Sequence, residues 1–218
     1  MRHLRKVPVE LPVSFFRYGA SPGRPLLLML HGFRETAEDF VARAFDVPEG
    51  EHSIEIIAPN APFPMPSRRE GKYLEAYSWH FRDIDRQTVL IPPEVGAQAL
   101  FALMKDLNLV HRDVIIVGFS QGGFFAPHIA RLLPRVLGII AVSSGFRPDE
   151  YDGISPCPLS AIHGSDDKII SVELMLKGLE PLRNSGFTAG SVKIIDGLGH
   201  DMNPAARLAL RELIADLS

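Results

Sequence analysis

Short apolar runs alternate along this chain with segments whose apolar residues recur at helical spacing. The runs have the length of strands and are rich in Ile, Leu and Val, as in strands buried on both faces of a sheet. They lie at 25–30, 54–59, 113–119, 137–143, 159–164 and 192–197. The helix-period segments lie at 94–109, 121–133, 171–184 and 204–217. Strands and helices in this order predict an α/β fold with a mostly parallel central sheet and helices on both faces.

The length and composition of the chain fit one domain. Its 218 residues are 46% hydrophobic and 22% charged, which is enough to build one full core. We therefore expect a single domain over residues 1–218. The segment at about 60–92 differs from the rest, because it combines several prolines with the stretches SRREGK and YSWHF. We expect this segment to form an irregular, lid-like or pocket-lining excursion over one end of the sheet.

Charge and cysteine content exclude several functional classes. The net charge is −3 and the basic residues are scattered, so no nucleic-acid-binding face is indicated. Cys157 is the only cysteine, which leaves neither an internal disulfide nor a cysteine zinc site. The basic start of the chain is not followed by the apolar core of a secretion signal, and no apolar run has the length of a membrane span. We expect a cytoplasmic protein with no nucleic-acid partner and no membrane span, and its oligomeric state stays open.

A serine lies at the junction between a predicted strand and a predicted helix. Residues 118–122 read Gly-Phe-Ser-Gln-Gly, the pattern G-x-S-x-G, directly after the apolar run DVIIV. A sharp strand-to-helix turn imposes strained backbone angles on Ser120 and brings neighbouring segments close, which explains the glycines on either side. Ser120 would then lie at the positive end of the helix dipole and act as a nucleophile. The alternative is a tight turn in which Ser120 is only a helix cap.

A serine nucleophile needs a base, and we assign that role to His200. This residue follows the predicted strand at 192–197 and a glycine-flanked turn, and it precedes Asn203 and Pro204, which predict the N-cap and first residue of the last helix. His200 is thus expected at the carboxyl end of a strand, where parallel α/β sheets bind their ligands. His31 also ends a predicted strand, and we expect its ring to hold a loop by hydrogen bonds rather than to act in catalysis.

An acid that orients the base is expected between the serine and the histidine, because serine, acid and histidine occur in that order in the fold that carries the G-x-S-x-G turn. Asp166 and Asp167 both follow the predicted strand at 159–164. We favour Asp167, whose carboxylate would accept the imidazole N–H and stabilise the imidazolium. Asp166 is the alternative.

Negative charge that develops on a substrate oxygen needs at least two aligned N–H donors. The residue after the nucleophile supplies one donor, here the backbone N–H of Gln121, and an early strand-end loop supplies the other. The stretch HGF at 31–33 is such a loop. We therefore assign the second donor to the backbone N–H of Phe33.

These motifs resemble the carboxylesterase/phospholipase family of α/β hydrolases, which includes the acyl-protein thioesterases. The resemblance is carried by HGF at 31–33, APNAP at 58–62, Trp79 with Asp83, GFSQGG at 118–123, HGSDD at 163–167 and GLGH at 197–200. It implies the α/β-hydrolase fold and a serine hydrolase that acts on ester or thioester bonds without metal or cofactor. Carried over by position, it assigns the triad to Ser120, Asp167 and His200 and the oxyanion donors to Phe33 and Gln121.

The function we predict is that of a serine carboxylesterase that forms an acyl-enzyme with a small acyl ester or thioester. Apolar side chains of the 60–92 segment, namely Phe63, Met65 and Trp79, are candidates for an acyl pocket, with packing on the body of the domain as the alternative. Two other functions stay open. The same triad serves amide-cleaving or lactone-opening hydrolases, and a non-catalytic binding protein can keep the fold.

Overall fold

The computed structural model describes residues 10–19, 23–45, 54–83, 85–86, 88–151, 157–184 and 187–218, so part of the basic N-terminal stretch considered above, residues 1–9, lies outside it. The strands are β1 (Phe15–Tyr18), β2 (Leu26–Leu30), β3 (Glu55–Pro59), β4 (Phe63–Pro64), β5 (Ser67–Arg69), β6 (Lys72–Leu74), β7 (Tyr77–Ser78), β8 (Phe81–Asp83), β9 (Thr88–Ile91), β10 (Val114–Phe119), β11 (Val136–Val142), β12 (Pro158–Gly164) and β13 (Thr188–Ile195). The helices are α1 (Ala37–Phe45), α2 (Pro93–Asp106), α3 (Gln121–Ala130), α4 (Val172–Asn184) and α5 (Pro204–Leu217), and a short 3₁₀ helix spans Pro148–Glu150.

The central sheet has seven strands in the order β1-β3-β2-β10-β11-β12-β13. β1 runs antiparallel to β3, and the other neighbouring pairs are parallel. β2 and β10 are buried along their whole length, which is why they read as continuous apolar runs rather than as alternating patterns. The predicted mostly parallel sheet is confirmed, and each of the six apolar runs forms one of its strands.

Helices cover both faces of this sheet, as predicted. α1 and α5 pack on one face, against strand side chains such as Met29 and Val117. α2, α3 and α4 pack on the other face, against side chains such as Leu28 and Ile116. Successive residues of the same strands therefore point into two separate cores. Within the part of the chain that the structure describes, no helix is long and apolar enough to cross a membrane.

Two elements outside the 60–92 segment, β1 and α1, are not among the apolar runs and helix-period segments predicted from the sequence. The edge strand β1 is only partly buried, so its residues FFRY carry no continuous apolar run. The helix α1 is nine residues long and buries Ala37, Phe40, Val41 and Ala44, which have the i, i+3, i+4, i+7 spacing of an amphipathic helix. β1 is therefore defined by its pairing with β3, whereas α1 carries a helical pattern in its own sequence.

The segment expected to be irregular, 60–92, is instead built from short strands. β4 pairs with β7, β5 with β6 and β8 with β9, each as a two-stranded antiparallel sheet. The turn between β5 and β6 consists of Glu70 and Gly71, both with positive φ (52° and 79°), as a two-residue hairpin turn requires. Strands of two to four residues leave no recognisable pattern in the sequence.

A buried carboxylate lies at the start of β3, at the amino edge of the sheet. Glu55 is 2% exposed and accepts hydrogen bonds from Arg17 Nε and Arg112 Nη1, both at 2.9 Å. Burial acts to raise the pKa of Glu55, but the hydrogen bonds and charges of the two arginines outweigh it, so the pKa lies below its usual value. Glu55 therefore ties the edge strand β1 and the loop before β10 to the start of β3.

We expect Glu55→Gln to lower the free energy of unfolding by about 1–3 kcal/mol at pH 7, because it removes charge-assisted hydrogen bonds. A carboxyl whose folded-state pKa is lowered stabilises the fold above its unfolded pKa of about 4.3, and this contribution is lost as the pH falls through the folded value. Urea unfolding at pH 7 and at pH 3.5 should show the difference between wild type and variant shrinking with acidification. A difference of the same size at both pH values would contradict this account.

Candidate active site

Ser120 lies in the turn that joins β10 to α3. Its backbone has φ 50° and ψ −112°, outside the regions that L-residues favour. Ser120 N–H donates to Val142 O (2.8 Å), and Phe124 N–H donates to Ser120 O (3.1 Å). The hydroxyl of Ser144 donates to the same Ser120 carbonyl at 3.0 Å. The strained conformation is thus held by the neighbouring strand and by the first turn of the helix.

The glycines beside Ser120 allow backbone segments to approach one another closely. A Cβ on Gly118 would lie 2.4 Å from the carbonyl carbon and oxygen of Gly122. A Cβ on Gly122 would lie 2.0 Å from the carbonyl oxygen of Leu30. Non-bonded atoms do not approach this closely, so a larger residue at Gly118 would push the first turn of α3 away from β10, and one at Gly122 would push it away from β2. The prediction that neighbouring segments come too close for a side chain at Gly118 and Gly122 is confirmed.

His200 lies on the loop between β13 and α5, at the same edge of the sheet as Ser120. Its Nε2 is 3.0 Å from Ser120 Oγ, and its Nδ1 is 2.8 Å from Asp167 Oδ2. Because a carboxylate only accepts hydrogen bonds, the proton is assigned to Nδ1, and Nε2 is left to accept from the serine hydroxyl. The structure therefore brings these three predicted side chains together in one hydrogen-bonded row.

The structure also distinguishes between the two candidate acids. Asp167 is 4% exposed, and its Oδ1 accepts the backbone N–H groups of Ile169 and Ile170, each at 2.9 Å. Asp166 is exposed, and its carboxylate accepts from the Ser165 hydroxyl at 3.2 Å. Asp167, the favoured candidate, is the aspartate that faces His200.

Asp167 is held as a carboxylate by the loop that contains it. Burial acts to raise its pKa, but hydrogen bonds from Ile170 N–H, His200 and Ile169 N–H outweigh this effect and lower the pKa below its usual value. His163, at the end of β12, lies close by, with Nε2 2.7 Å from Ile170 O and 3.4 Å from Asp167 Oδ2. The sequence analysis gave His163 no role, although its place in the HGSDD stretch was a signal.

Phe33 lies in the loop between β2 and α1, where both neighbours are anchored. Gly32 N–H donates to Glu35 Oε2 at 2.8 Å, and Arg34 N–H donates to Tyr77 O at 3.0 Å. Arg34 has φ 60°, the left-handed region that favours glycine. The backbone of Phe33 is thus fixed from both sides at the carboxyl edge of the sheet.

His31 holds this loop, as expected from the sequence. Its ring is fully buried, its Nε2 accepts Ala61 N–H at 3.0 Å, and its Nδ1–H donates to Gly32 O at 2.7 Å. Burial lowers the pKa of His31 to about 4, which keeps the ring neutral near neutral pH. Both ring nitrogens are therefore used in structural hydrogen bonds.

Gln121 begins α3, where a backbone N–H has no carbonyl partner within the helix. Its side-chain amide makes contacts that the sequence analysis did not predict. Oε1 accepts Trp79 N–H at 3.0 Å, while Nε2 donates to Ser78 Oγ at 3.1 Å and to His80 O at 3.0 Å. The amide thus joins the turn at Ser120 to residues 78–80, a link that no local pattern signals.

The three candidate pocket residues lie in different surroundings. Trp79 is fully buried, stacks on Phe125 with ring centroids 4.6 Å apart, and donates its indole N–H to His31 O at 2.9 Å. Its side chain packs in the core, the alternative named above, and has no exposed surface with which to line a pocket. Phe63 and Met65 are half-buried, and their place in a pocket stays a prediction.

Metal-binding side chains are not grouped at this site. Within the described ranges, no three His, Cys, Asp or Glu side chains lie together as possible metal ligands. The thiol of Cys157 is buried, and burial raises its pKa to about 11, so it is uncharged near neutral pH.

Comparison with known proteins shows one consistent set of relatives. The profile of a family described as phospholipase/carboxylesterase matches residues 14–215. The chain is 26% identical over 199 residues to carboxylesterase SOBER1 of Arabidopsis thaliana, covering 83% of this chain and 85% of that protein. It is also 26% identical over 198 residues to a probable inactive carboxylesterase of Oryza sativa subsp. japonica, covering 84% and 80%. The crystal structure of esterase PE8 superposes with a TM-score of 0.72 at 26% identity, covering 96% of this chain and 100% of that one.

We expect Gly122→Ala to destabilise the protein by about 3 kcal/mol or more, because its Cβ would overlap the β2 backbone. Gly145→Ala is the matched control, since a Cβ there meets only Ile170 Cγ2 at an ordinary 3.6 Å. The control should change stability by no more than about 1 kcal/mol. Denaturant unfolding measures both values, and similar stabilities for the two variants would argue against the close approach.

Proposed function

The chain belongs to the phospholipase/carboxylesterase family of α/β hydrolases, and on this basis we propose that it hydrolyses carboxylic esters with Ser120 as nucleophile, through an acyl-enzyme. The observation that carries the proposal is the hydrogen-bonded row from Ser120 Oγ through His200 to Asp167, with distances of 3.0 and 2.8 Å. The family and the esterase relatives support the ester-cleaving activity itself. Asp167 and His200 then act as the orienting acid and the general base.

In the acylation step, Ser120 Oγ attacks the carbonyl carbon of the substrate while His200 Nε2 takes the hydroxyl proton. The 3.0 Å separation is a hydrogen-bond distance, so the proton passes directly between the two atoms. His200 then gives this proton to the leaving alcohol or thiol as the tetrahedral intermediate collapses. The acyl group remains on Ser120 as an ester, and the carbon–oxygen or carbon–sulfur bond to the leaving group is broken.

In the deacylation step, water attacks the acyl-enzyme and His200 takes one of the water protons. Collapse of the second tetrahedral intermediate returns that proton to Ser120 Oγ and releases the carboxylic acid. During both steps the imidazolium lies against the Asp167 carboxylate, whose lowered pKa keeps it charged. Because Oδ1 already accepts hydrogen bonds from two backbone N–H groups, Oδ2 is the oxygen that accepts the hydrogen bond from His200.

Two backbone N–H groups are suited to stabilise the oxyanion of both intermediates. Gln121 N–H lies at the start of α3, where the helix dipole favours negative charge. Phe33 N–H lies between two anchored residues of the loop after β2. Such donors cost little reorganisation when charge develops, because the fold already holds their direction.

The substrate we propose is a small acyl ester or thioester with an apolar acyl group. Two large apolar side chains on loops at this edge of the sheet are exposed, Phe33 at 49% and Ile169 at 72%. Each lies next to a group of the site, Phe33 as a proposed donor and Ile169 two residues from Asp167. Exposed apolar side chains beside a reactive group support contact with an apolar part of the substrate.

The main alternative is a binding protein of the same fold without catalysis. A relative of similar identity, the rice protein, has the name of a probable inactive carboxylesterase. The hydrogen-bonded row at Ser120 favours catalysis for this chain. Amide or lactone cleavage uses the same acyl-enzyme steps, so comparison of substrate classes separates those activities from ester hydrolysis.

Treatment of the folded protein with a fluorophosphonate is expected to add one adduct, because an activated serine attacks the phosphorus and displaces fluoride. Intact-mass measurement should find the adduct in the wild type and not in Ser120→Ala. Hydrolysis of p-nitrophenyl acyl esters should be lost in the same variant. A folded wild type that stays unmodified would move the assignment to the binding protein.

Asp167→Asn is expected to lower kcat by about 10³- to 10⁴-fold, because an amide in place of the carboxylate disfavours the required imidazole tautomer. Asp166→Asn is the matched control, an adjacent aspartate with an exposed side chain. It should keep kcat within about twofold of the wild type, since its carboxylate faces Ser165 rather than His200. Steady-state assays of both variants on one p-nitrophenyl ester decide the matter, and equal losses would refute the assignment of Asp167.

A further inference from the structure

We infer that the ion pair between Glu35 and Arg43 positions two groups of the site, the backbone N–H of Phe33 and the ring of His200. This inference rests on the proposed function, because those are the groups that the proposed reaction uses. Glu35 acts through the loop after β2, and Arg43 acts through residues that flank Ser120 and His200. Both are therefore positioning residues rather than catalytic ones.

The Glu35 carboxylate fixes the loop that contains Phe33. Its Oε2 accepts Gly32 N–H at 2.8 Å, and its Oε1 is paired with Arg43 Nη2. The Glu35 backbone continues the anchoring, because its carbonyl accepts Tyr77 N–H at 3.2 Å. The direction of the Phe33 N–H, one residue after Gly32, thus depends on where the Glu35 carboxylate lies.

The Arg43 guanidinium, which extends from α1, connects this loop to the segments of the other site residues. Its central carbon lies 4.0 Å from the ring centroid of Phe119, the residue before Ser120. Its Nη1 lies 3.6 Å from a carboxylate oxygen of Asp201, the residue after His200. The Phe119 ring in turn contacts the His200 ring, with centroids 5.1 Å apart. One cation therefore touches the oxyanion loop, the serine turn and the base loop.

The Glu35 carboxylate depends on the positive charge of Arg43 to stay in its place in the loop. Burial raises the pKa of Glu35, while the Arg43 charge and the Gly32 N–H act in the opposite direction without fully cancelling the effect. Removal of Arg43 would leave a buried carboxylate without its counter-charge, so the loop would relax to reach water. Removal of the Glu35 charge would leave Arg43 free to move away from Phe119.

The kinetic test compares Glu35→Gln, Arg43→Met and Arg43→Lys on a p-nitrophenyl ester at a temperature where circular dichroism shows each variant folded. Arg43→Met should lower kcat by about 10- to 100-fold with KM within about twofold, as expected for misplaced reacting groups. Glu35→Gln should lower kcat in the same way, and Arg43→Lys should restore part of the loss. If Arg43→Met does not fold, the other two variants carry the test.

Glu55→Gln is the matched control, because it removes a buried carboxylate that is also paired with arginine, at the opposite edge of the sheet. It should lower stability and leave kcat within about twofold of the wild type. If a general loss of stability were the cause of lower turnover, both glutamate variants would lose kcat to a similar extent. Equal effects of Glu35→Gln and Glu55→Gln on kcat would therefore overturn the inference.

A second readout does not depend on turnover. The amide resonance of Gly32 and the ring N–H resonance of His200 should shift in Glu35→Gln and Arg43→Met, with Gly32 exchange about tenfold faster, and should stay in place in Glu55→Gln. Unchanged resonances, or shifted resonances with unchanged kcat, would overturn the inference while leaving the proposed function intact. If the wild type shows no Ser120-dependent hydrolysis, the proposed function fails, and the resonances alone decide whether the pair orders the loop.

Discussion

The close approach of the serine turn to the end of β2 is the constraint on which the site depends. Because Gly122 has no side chain, the first turn of α3 lies directly against the carbonyl of Leu30, and because Gly118 has none, the same turn lies close to the end of β10. This contact places the start of the helix, and with it Gln121 N–H, beside the loop that contains Phe33. A larger side chain at Gly122 would separate the two loops that the proposed mechanism needs together. The strain at Ser120 is held by hydrogen bonds to its backbone from both sides.

A second layer of contacts gives each group of the site a single orientation. Asp167 is oriented by two backbone N–H groups, and the loop after β2 is oriented by the rings and carboxylates around it. The Gln121 amide adds a link from the serine turn to residues 78–80, inside the segment that forms three small antiparallel sheets. Several buried polar groups at this edge, such as the Ala61 and Trp79 N–H groups, thus find partners in distant parts of the chain.

Sequence patterns predicted the elements that bury continuous apolar runs and the residues that follow them. Ser120, Asp167 and His200 were predicted from the G-x-S-x-G turn, the order of serine, acid and histidine, and the rule that functional groups of a parallel sheet follow the carboxyl ends of strands. The structure brings the three side chains within hydrogen-bond distance. The choice between Asp166 and Asp167 needed the structure to resolve it. The burial of Trp79 and the Glu35–Arg43 pair depend on contacts between segments far apart in the chain, which no local period records. The short strands of the 60–92 segment were not predicted, because each strand is too short to show a period.

The order of the three hydrogen-bonded side chains along the chain has a consequence for synthesis on the ribosome. Ser120 and His200 are separated by 80 residues, and His200 lies beyond the last strand of the sheet. A growing chain therefore carries the residues of β10, the serine turn and α3 well before His200 leaves the ribosome. Throughout that interval the serine has no His200 beside it, so it resembles an ordinary hydroxyl toward acyl groups in its surroundings. Under the proposed mechanism, the reactivity of Ser120 therefore arises only after the sheet is complete.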